Sequence, residues 1–174
     1  KKESELHILI NNAGVMGVPY QETKDGYEIQ YQVNFVSHFL LTLKLIPYLK
    51  KVSDKKLIAP RVINLSSMGH MFSYKYFNPS ENLNRTPNYL YTWIRYAAAK
   101  LAEIQFLEVL ATVYPDILSM SVHPGVVTGT GLYDYWKQLS FIGVFAGVIF
   151  KGINSVIGVS NEVGSFASLK CALD

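Results

Sequence analysis

Three short runs along the chain are apolar almost without a break: residues 6–10, 61–65 and 117–122. Near-continuous apolar runs of this length, as opposed to alternating ones, predict strands buried on both faces of a parallel sheet. Between the first two runs, Val33, Val36, Leu40, Leu43 and Leu45 continue an apolar stripe that predicts a long helix, with Asp25 placed to cap it. Between the second and third, a helix is predicted over 91–114, with Ala97, Leu101, Ile104, Leu107 and Ala111 on one face. Strand, helix, strand, helix, strand is the order of βαβ units, so the expected class is α/β with a parallel sheet flanked by helices. Polar residues and glycines follow the strands, which is where such sheets hold their ligands.

Two stretches fit none of these elements. Residues 68–88 form a long polar and aromatic excursion, and loops of that length are usually functional or disordered. Residues 139–159 hold an uninterrupted apolar run of about a dozen residues, short of the ~20 that a membrane-spanning helix needs. No repeat, low-complexity tract or domain linker is present, so 174 residues read as one domain with a real core.

Charge narrows the function classes. A net charge of +3, with no Lys/Arg run beyond the pairs at Lys1–Lys2, Lys50–Lys51 and Lys55–Lys56, is no nucleic-acid footprint. The single cysteine, Cys171, excludes an intrachain disulfide and suits a reducing compartment, so a cytoplasmic setting is expected. No metal site is expected. A buried-strand pattern follows the charged Lys1–Glu5 at once and the last residues stop on a helix tail, so the expectation is a chain cut at both ends.

Tyr96-Ala-Ala-Ala-Lys100 places a phenol and an ammonium four residues apart on one helix face. An ordinary tyrosine ionises near pH 10, too high for proton exchange at neutral pH, and a fixed positive charge beside it favours the phenolate. The pair therefore makes a usable general acid/base. The spacing alone proves little, because Tyr20/Lys24 and Tyr133/Lys137 repeat it; only the Tyr96 copy opens a long helix after a strand and loop.

Arg61-Val-Ile-Asn-Leu-Ser-Ser67 is a buried strand that ends in two hydroxyls. They either face the ligand crevice at the carboxyl end of a parallel strand or simply start a turn. Asn11-Asn-Ala-Gly14 follows the first strand, and its small residues let a ligand lie close to the backbone. Asn34, mid-helix on an apolar stretch, is either a satisfied core amide or the holder of a water in a proton relay. After the third strand come His123-Pro-Gly125, then Thr128 and Thr130, whose hydroxyls could meet a carboxamide.

Taken in order, these elements resemble the classical short-chain dehydrogenases/reductases, over essentially the whole chain. Thr23-Lys-Asp-Gly26, Ser121-Val-His-Pro-Gly125 and Gly158-Val-Ser-Asn-Glu162 resemble most closely the branch of retinol-dehydrogenase-like and fungal lipid-droplet oxidoreductases. The resemblance implies a Rossmann-like, doubly wound fold and an NAD- or NADP-dependent exchange between a hydrophobic alcohol and its aldehyde or ketone. It implies Tyr96 as acid/base, Lys100 as its partner and ribose ligand, Ser67 as the group that polarises the carbonyl, and Asn34 as the holder of a water. Asn11, Ala13 and Gly14 would line the adenosine side of the cofactor, and Pro124-Gly125 with Thr128 or Thr130 would carry the nicotinamide. Homodimers are common in the family.

The chain departs from the pattern in two places. It contains no Thr-Gly-x-x-x-Gly-x-Gly, the turn that holds the pyrophosphate at a helix amino terminus. The expected domain is therefore a partial one over 1–174, the catalytic half with carboxyl-side strands only, without the first βαβ unit and the final strand. A three-strand sheet with an uncovered edge is a poor stand-alone fold, so a piece of a longer enzyme is expected. The alternative is a catalytically inactive scaffold that binds a lipid surface or a protein partner. The commonest family spacing would also put a threonine at position 129, where this chain has Gly129.

The aromatic residues Tyr133, Tyr135, Trp136, Phe141, Phe145 and Phe150 read as an apolar lid over a hydrophobic substrate, as core, or as a subunit contact. Leu139 to Phe150, flanked by Trp136, Lys137 and Lys151, also reads as a segment that dips into a membrane or lipid-droplet surface, with the endoplasmic reticulum a second location.

Overall fold

The computed structural model describes residues 3–55, 58–73, 88–133, 135 and 158–174. Strands β1 (Ile8–Asn11), β2 (Arg61–Leu65) and β3 (Leu118–Val122) form a parallel sheet with β2 in the middle. The register pairs Asn11 with Asn64 and Leu65 with Val122, so the carboxyl ends of all three strands finish together. Two short strands, β4 (Val126–Val127) and β5 (Gly158–Val159), make a separate parallel pair. The class is α/β, as the pattern predicts.

Successive residues of a strand face opposite sides, and β2 shows what each side meets. Val62 packs with Ile46, Leu49, Phe106, Leu107, Leu110 and Ile117 in the larger core cluster. The neighbouring Ile63 joins Val122 and Ala172 in a smaller one. The first cluster comes from helices α2 (Ser37–Ser53) and α3 (Asn88–Val113), the second from α4 (Asn161–Leu173). Helices therefore cover both faces of the middle strand. Only β2 is buried through its centre; Ile8 and Ile10 of β1 and Leu118 of β3 stay exposed, contrary to the reading of all three runs as fully buried.

The first helical region starts later than the pattern predicts and runs in three parts. α1 (Ile29–Tyr31) is capped by Glu28, whose carboxylate accepts from Tyr31 N at 2.9 Å, while Asp25 accepts from the Gln32 side chain instead. A π-helical turn over Gln32–Val36 then leads into α2. That wider turn changes the phase of the helix, and the face turned inward is Asn34, His38, Thr42, Ile46 and Leu49. Leu40 and Leu43, placed on the inner stripe by sequence, are exposed.

In α3 the buried residues include Thr92, Tyr96, Ala97, Ala99, Glu103, Phe106, Leu107 and Leu110; of the predicted face, Ala97 and Leu107 are buried, Leu101 and Ile104 half-buried and Ala111 exposed. Among the described residues no helix is long and apolar enough to cross a membrane. Residues 74–87 and 136–157, which include most of the aromatic lid and the apolar run, lie outside the described residues.

Candidate active site

The carboxyl ends of β1, β2 and β3 open onto a cavity of about 670 Å³. Parallel sheets place ligands there because the loops leaving the strands diverge around a crevice. β2 delivers Ser66 and Ser67 to the cavity, α3 delivers Tyr96 and Lys100, and the loop after β1 delivers Asn12, Ala13 and Gly14. The loop after β3 adds His123, Pro124 and Gly125, the last with φ +84°, a conformation that suits glycine.

Ser67 and Tyr96 meet across Gly69. A methyl group built on Gly69 would lie 3.1 Å from Tyr96 Cε1 and 3.3 Å from Ser67 Oγ. The serine hydroxyl accepts from Gly69 N at 3.1 Å, which fixes it at the foot of the short 3-10 turn Met68–Ser73. The Lys100 ammonium lies 5.9 Å from the centre of the Tyr96 ring. It donates to the Leu65 carbonyl at 2.5 Å and to Glu103 Oε2 at 2.9 Å. Hydroxyl, phenol and ammonium thus share one cavity.

The two other Tyr-x-x-x-Lys copies have different settings. Tyr20 lies under the fully buried Arg95, whose guanidinium is 5.1 Å from the ring centre, and does not line the cavity. The Tyr133 backbone belongs to a 3-10 turn (Gly131–Tyr133), and Lys137 is outside the described residues.

Asn34 is fully buried beside the cavity wall. Its carboxamide accepts from Val15 N and donates to Val15 O, both at 2.8 Å. The side chain therefore holds the loop after β1 in place, in the manner of a satisfied core amide. A methyl group on Gly14 would lie 3.2 Å from Asn34 Oδ1, so the small residue lets loop and helix approach.

Two of the expected cofactor contacts are turned elsewhere. Asn11 is buried and donates to Asn64 Oδ1 at 2.7 Å and to Thr42 Oγ1 at 3.0 Å, tying β1 to β2 and α2. Thr128 is bound through both N and Oγ1 to the Val159 carbonyl of β5. Thr130 does line the cavity. The space beside Gly129 is occupied: a methyl group there would lie 2.6 Å from Asn161 Oδ1, so a threonine would displace that side chain.

Burial pushes the His123 imidazole below its ordinary value, and the nearby His70 pushes the same way. His70 is itself fixed by Nδ1 on the Ser67 carbonyl at 2.6 Å. The far wall is α4, through Asn161, Gly164, Ser165 and Ser168. Among the described residues no cluster of three or more His, Cys, Asp or Glu side chains could hold a metal.

No protein-family model matches the chain. Individual proteins do. Over 174 aligned residues, 99% of this chain, it is 41% identical to retinol dehydrogenase 11 of Mus musculus and 39% identical to retinol dehydrogenase 12 of the same organism. The chain belongs to the short-chain dehydrogenase/reductase family. An uncharacterized oxidoreductase of Schizosaccharomyces pombe is 39% identical over 132 residues, covering 72% of this chain and 38% of that protein. The chain spans about half the length of the two mouse relatives, 49% of each.

Solved structures agree on the fold. A short-chain dehydrogenase/reductase of unknown function from Caenorhabditis elegans, solved with cofactor, superposes with a TM-score of 0.62 at 20% identity. That match covers 97% of this chain and 59% of the other. A 4-hydroxyisoleucine dehydrogenase complexed with NADH gives 0.55 at 20% identity, over 86% of this chain and 53% of the other.

Sequence reasoning missed the residues behind the family motif. His38 and Glu103 are buried side by side, His38 Nδ1 donating to Glu103 Oε1 at 2.9 Å, and Glu103 is the carboxylate that holds Lys100. The available signal was a charged residue one turn after Lys100, surrounded by Ala, Leu, Ile and Phe. Asn64, the polar residue inside the middle strand, was legible in the same way.

Proposed function

We propose that the chain carries the catalytic centre of an NAD(P)-dependent oxidoreductase that interconverts a hydrophobic alcohol and its aldehyde or ketone. The observation that carries this reading is the convergence of Ser67, Tyr96 and Lys100 on one cavity at the carboxyl ends of the sheet. The names of the relatives support the substrate class, since two are retinol dehydrogenases. So does the apolar part of the cavity wall, with Met16, Met68, Leu132 and Leu169.

The residues present fit such a cofactor, with Ala13 and Gly14 on its adenosine side and Pro124-Gly125 and Lys100 on its nicotinamide side. Ala13 and Gly14 leave the backbone open to close approach, Pro124-Gly125 turns the chain beside them, and Lys100 offers an ammonium to a ribose hydroxyl. A bound nicotinamide supplies or accepts the hydride. In the reduction, Tyr96 gives its phenolic proton to the substrate oxygen, and Ser67 donates a hydrogen bond to that oxygen as negative charge develops on it. Lys100 holds positive charge beside the phenol, which favours the phenolate left behind. In the oxidation the same phenolate takes the proton back. Asn34 acts at one remove, through the loop it holds.

Tyr96→Phe removes the proton and keeps the ring. Reduction of a long-chain aldehyde, followed by NADH or NADPH absorbance, is expected to fall by about 10²–10⁴-fold, the usual worth of a general acid. Cofactor affinity should stay within about twofold of the parent. Turnover retained by the variant would remove Tyr96 from the mechanism. A folded parent protein that binds neither nucleotide would favour the scaffold reading.

A further inference from the structure

Lys100, Glu103 and His38 form a buried trio whose members are only 5%, 0% and 6% exposed. A charge kept away from water needs a partner and hydrogen bonds to persist. Each member of the trio supplies that to the next. The Lys100 ammonium has Glu103 Oε2 at 2.9 Å and the Leu65 carbonyl at 2.5 Å. The other oxygen of Glu103 accepts from His38 Nδ1 at 2.9 Å, so the carboxylate is clamped between α2 and α3.

The spacing along α3 matters as much as the contacts. Tyr96, Lys100 and Glu103 lie one and two turns apart on the same side of the helix. The charge beside the phenol is thus not a lone ammonium but an ammonium with a carboxylate against it. An ion pair acts on a third group far more weakly than either ion alone, because the two fields nearly cancel beyond the pair.

We propose that Glu103, clamped by His38, is a positioning residue that sets how much of the Lys100 charge Tyr96 feels. This rests on the reading of Tyr96 as the acid/base. The carboxylate holds the ammonium at the end of β2 and offsets its pull on the phenolic proton. A ligand hydroxyl that engages Lys100 competes with Glu103 for it. Among the described residues, His123, from the loop after β3, also lines the cavity, and His70, from the turn after β2, lies near it. Neither touches Glu103, and both stay unchanged in the test.

The test reads ionisation of Tyr96 directly, by ¹³C NMR at the tyrosine Cζ, with the resonance assigned by its loss in Tyr96→Phe. Glu103→Gln keeps the size of the side chain and removes its charge. In that variant the Tyr96 resonance should titrate about one pH unit lower than in the parent, a tenfold gain in phenolate at a given pH. Glu103→Asp, which keeps the charge, should return the midpoint most of the way to that of the parent. If Glu103→Gln does not fold, His38→Leu/Glu103→Met removes the pair together and should show the same downward move. An unchanged midpoint in a folded charge-free variant overturns the proposal, as does an Asp variant that behaves like Gln. Turnover measured on the same proteins separates this from the function itself. A parent without turnover whose Tyr96 still responds to Glu103 would sink the reaction assignment alone. Turnover with an unresponsive Tyr96 would sink only the role of Glu103.

Discussion

Asn34 grips Val15 at both ends of its amide, accepting from the backbone N–H and donating to the carbonyl at 2.8 Å each. Two half-buried backbone groups thus depend on one side chain from the π-helical turn. Asn34→Leu keeps the volume and leaves both without a partner. An orphaned buried group costs about 1–3 kcal/mol, and water reaches part of this loop, so the variant should lose about 1–3 kcal/mol in all in urea unfolding. Asn34→Asp should lose less, because it still accepts from Val15 N. Equal stability of Leu and Asn at this position would show that the loop after β1 is held by something else.

Gly69 separates the Ser67 hydroxyl from the Tyr96 ring, and even a methyl group there would press on both, at 3.3 Å and 3.1 Å. Gly69→Val should push the two apart while leaving the core untouched. Small misplacements of reacting groups cost far more in rate than in stability, and kcat is expected to fall by about 10–100-fold with little change in melting temperature. A variant with parental kcat would mean that the serine and tyrosine need not keep this spacing.

Gly164 of α4 lies against β4, and a methyl group there would sit 2.5 Å from Val127 Cγ2 and 3.4 Å from the Pro124 carbonyl. Gly164→Ala overpacks this contact, which should cost about 1–3 kcal/mol. Adding Val127→Ala makes space for the new methyl group and should restore most of the loss. If the pair were no better than the single change, steric crowding would not be the cause.

His123 gives a pH dependence with a definite sign. Burial and His70 hold its folded pKa below the unfolded value of about 6.5, so the neutral form is the one the fold favours. The stability it contributes is present above pH 6.5 and is lost as pH falls below that value through the folded pKa. Solvent at the exposed edge of the ring screens the effect, so the loss should stay well under about 1 kcal/mol. Unfolding curves at pH 7.5 and 5 should differ less for His123→Gln than for the parent. A larger difference in the variant would reverse the sign argued here.

The motif residues were readable in the sequence because their spacing carries its own geometry. Tyr96 and Lys100 share a helix face by periodicity alone, and Ser67 follows an apolar run whose end must meet the crevice. The inner face of α2 was not readable, because a π-helical turn shifts the phase of everything after it. Asn34, His38 and Thr42 are polar and would normally be assigned to water. They lie inside because each has a partner far away in sequence: Val15, Glu103 and Asn11. Likewise an apolar run cannot say how many helices cover it. β2 has them on both sides, whereas β1 keeps Ile8 and Ile10 exposed.

Arg61 opens β2 at the end away from the cavity, and its guanidinium donates to the Cys171 carbonyl in the last turn of α4 at 2.9 Å. The same helix, some 20 Å long at 1.5 Å per residue, carries Gly164 and Ser165 at the cleft near its other end. Gly164 lies against Val127 near that end and Ala172 packs with Ile63 and Val122 at the other, so the helix is held along its length. Loss of the Arg61 guanidinium would therefore loosen the last turn of α4 and leave the wall it gives the cleft in place, so the back of the sheet can vary without disturbing any group that performs chemistry.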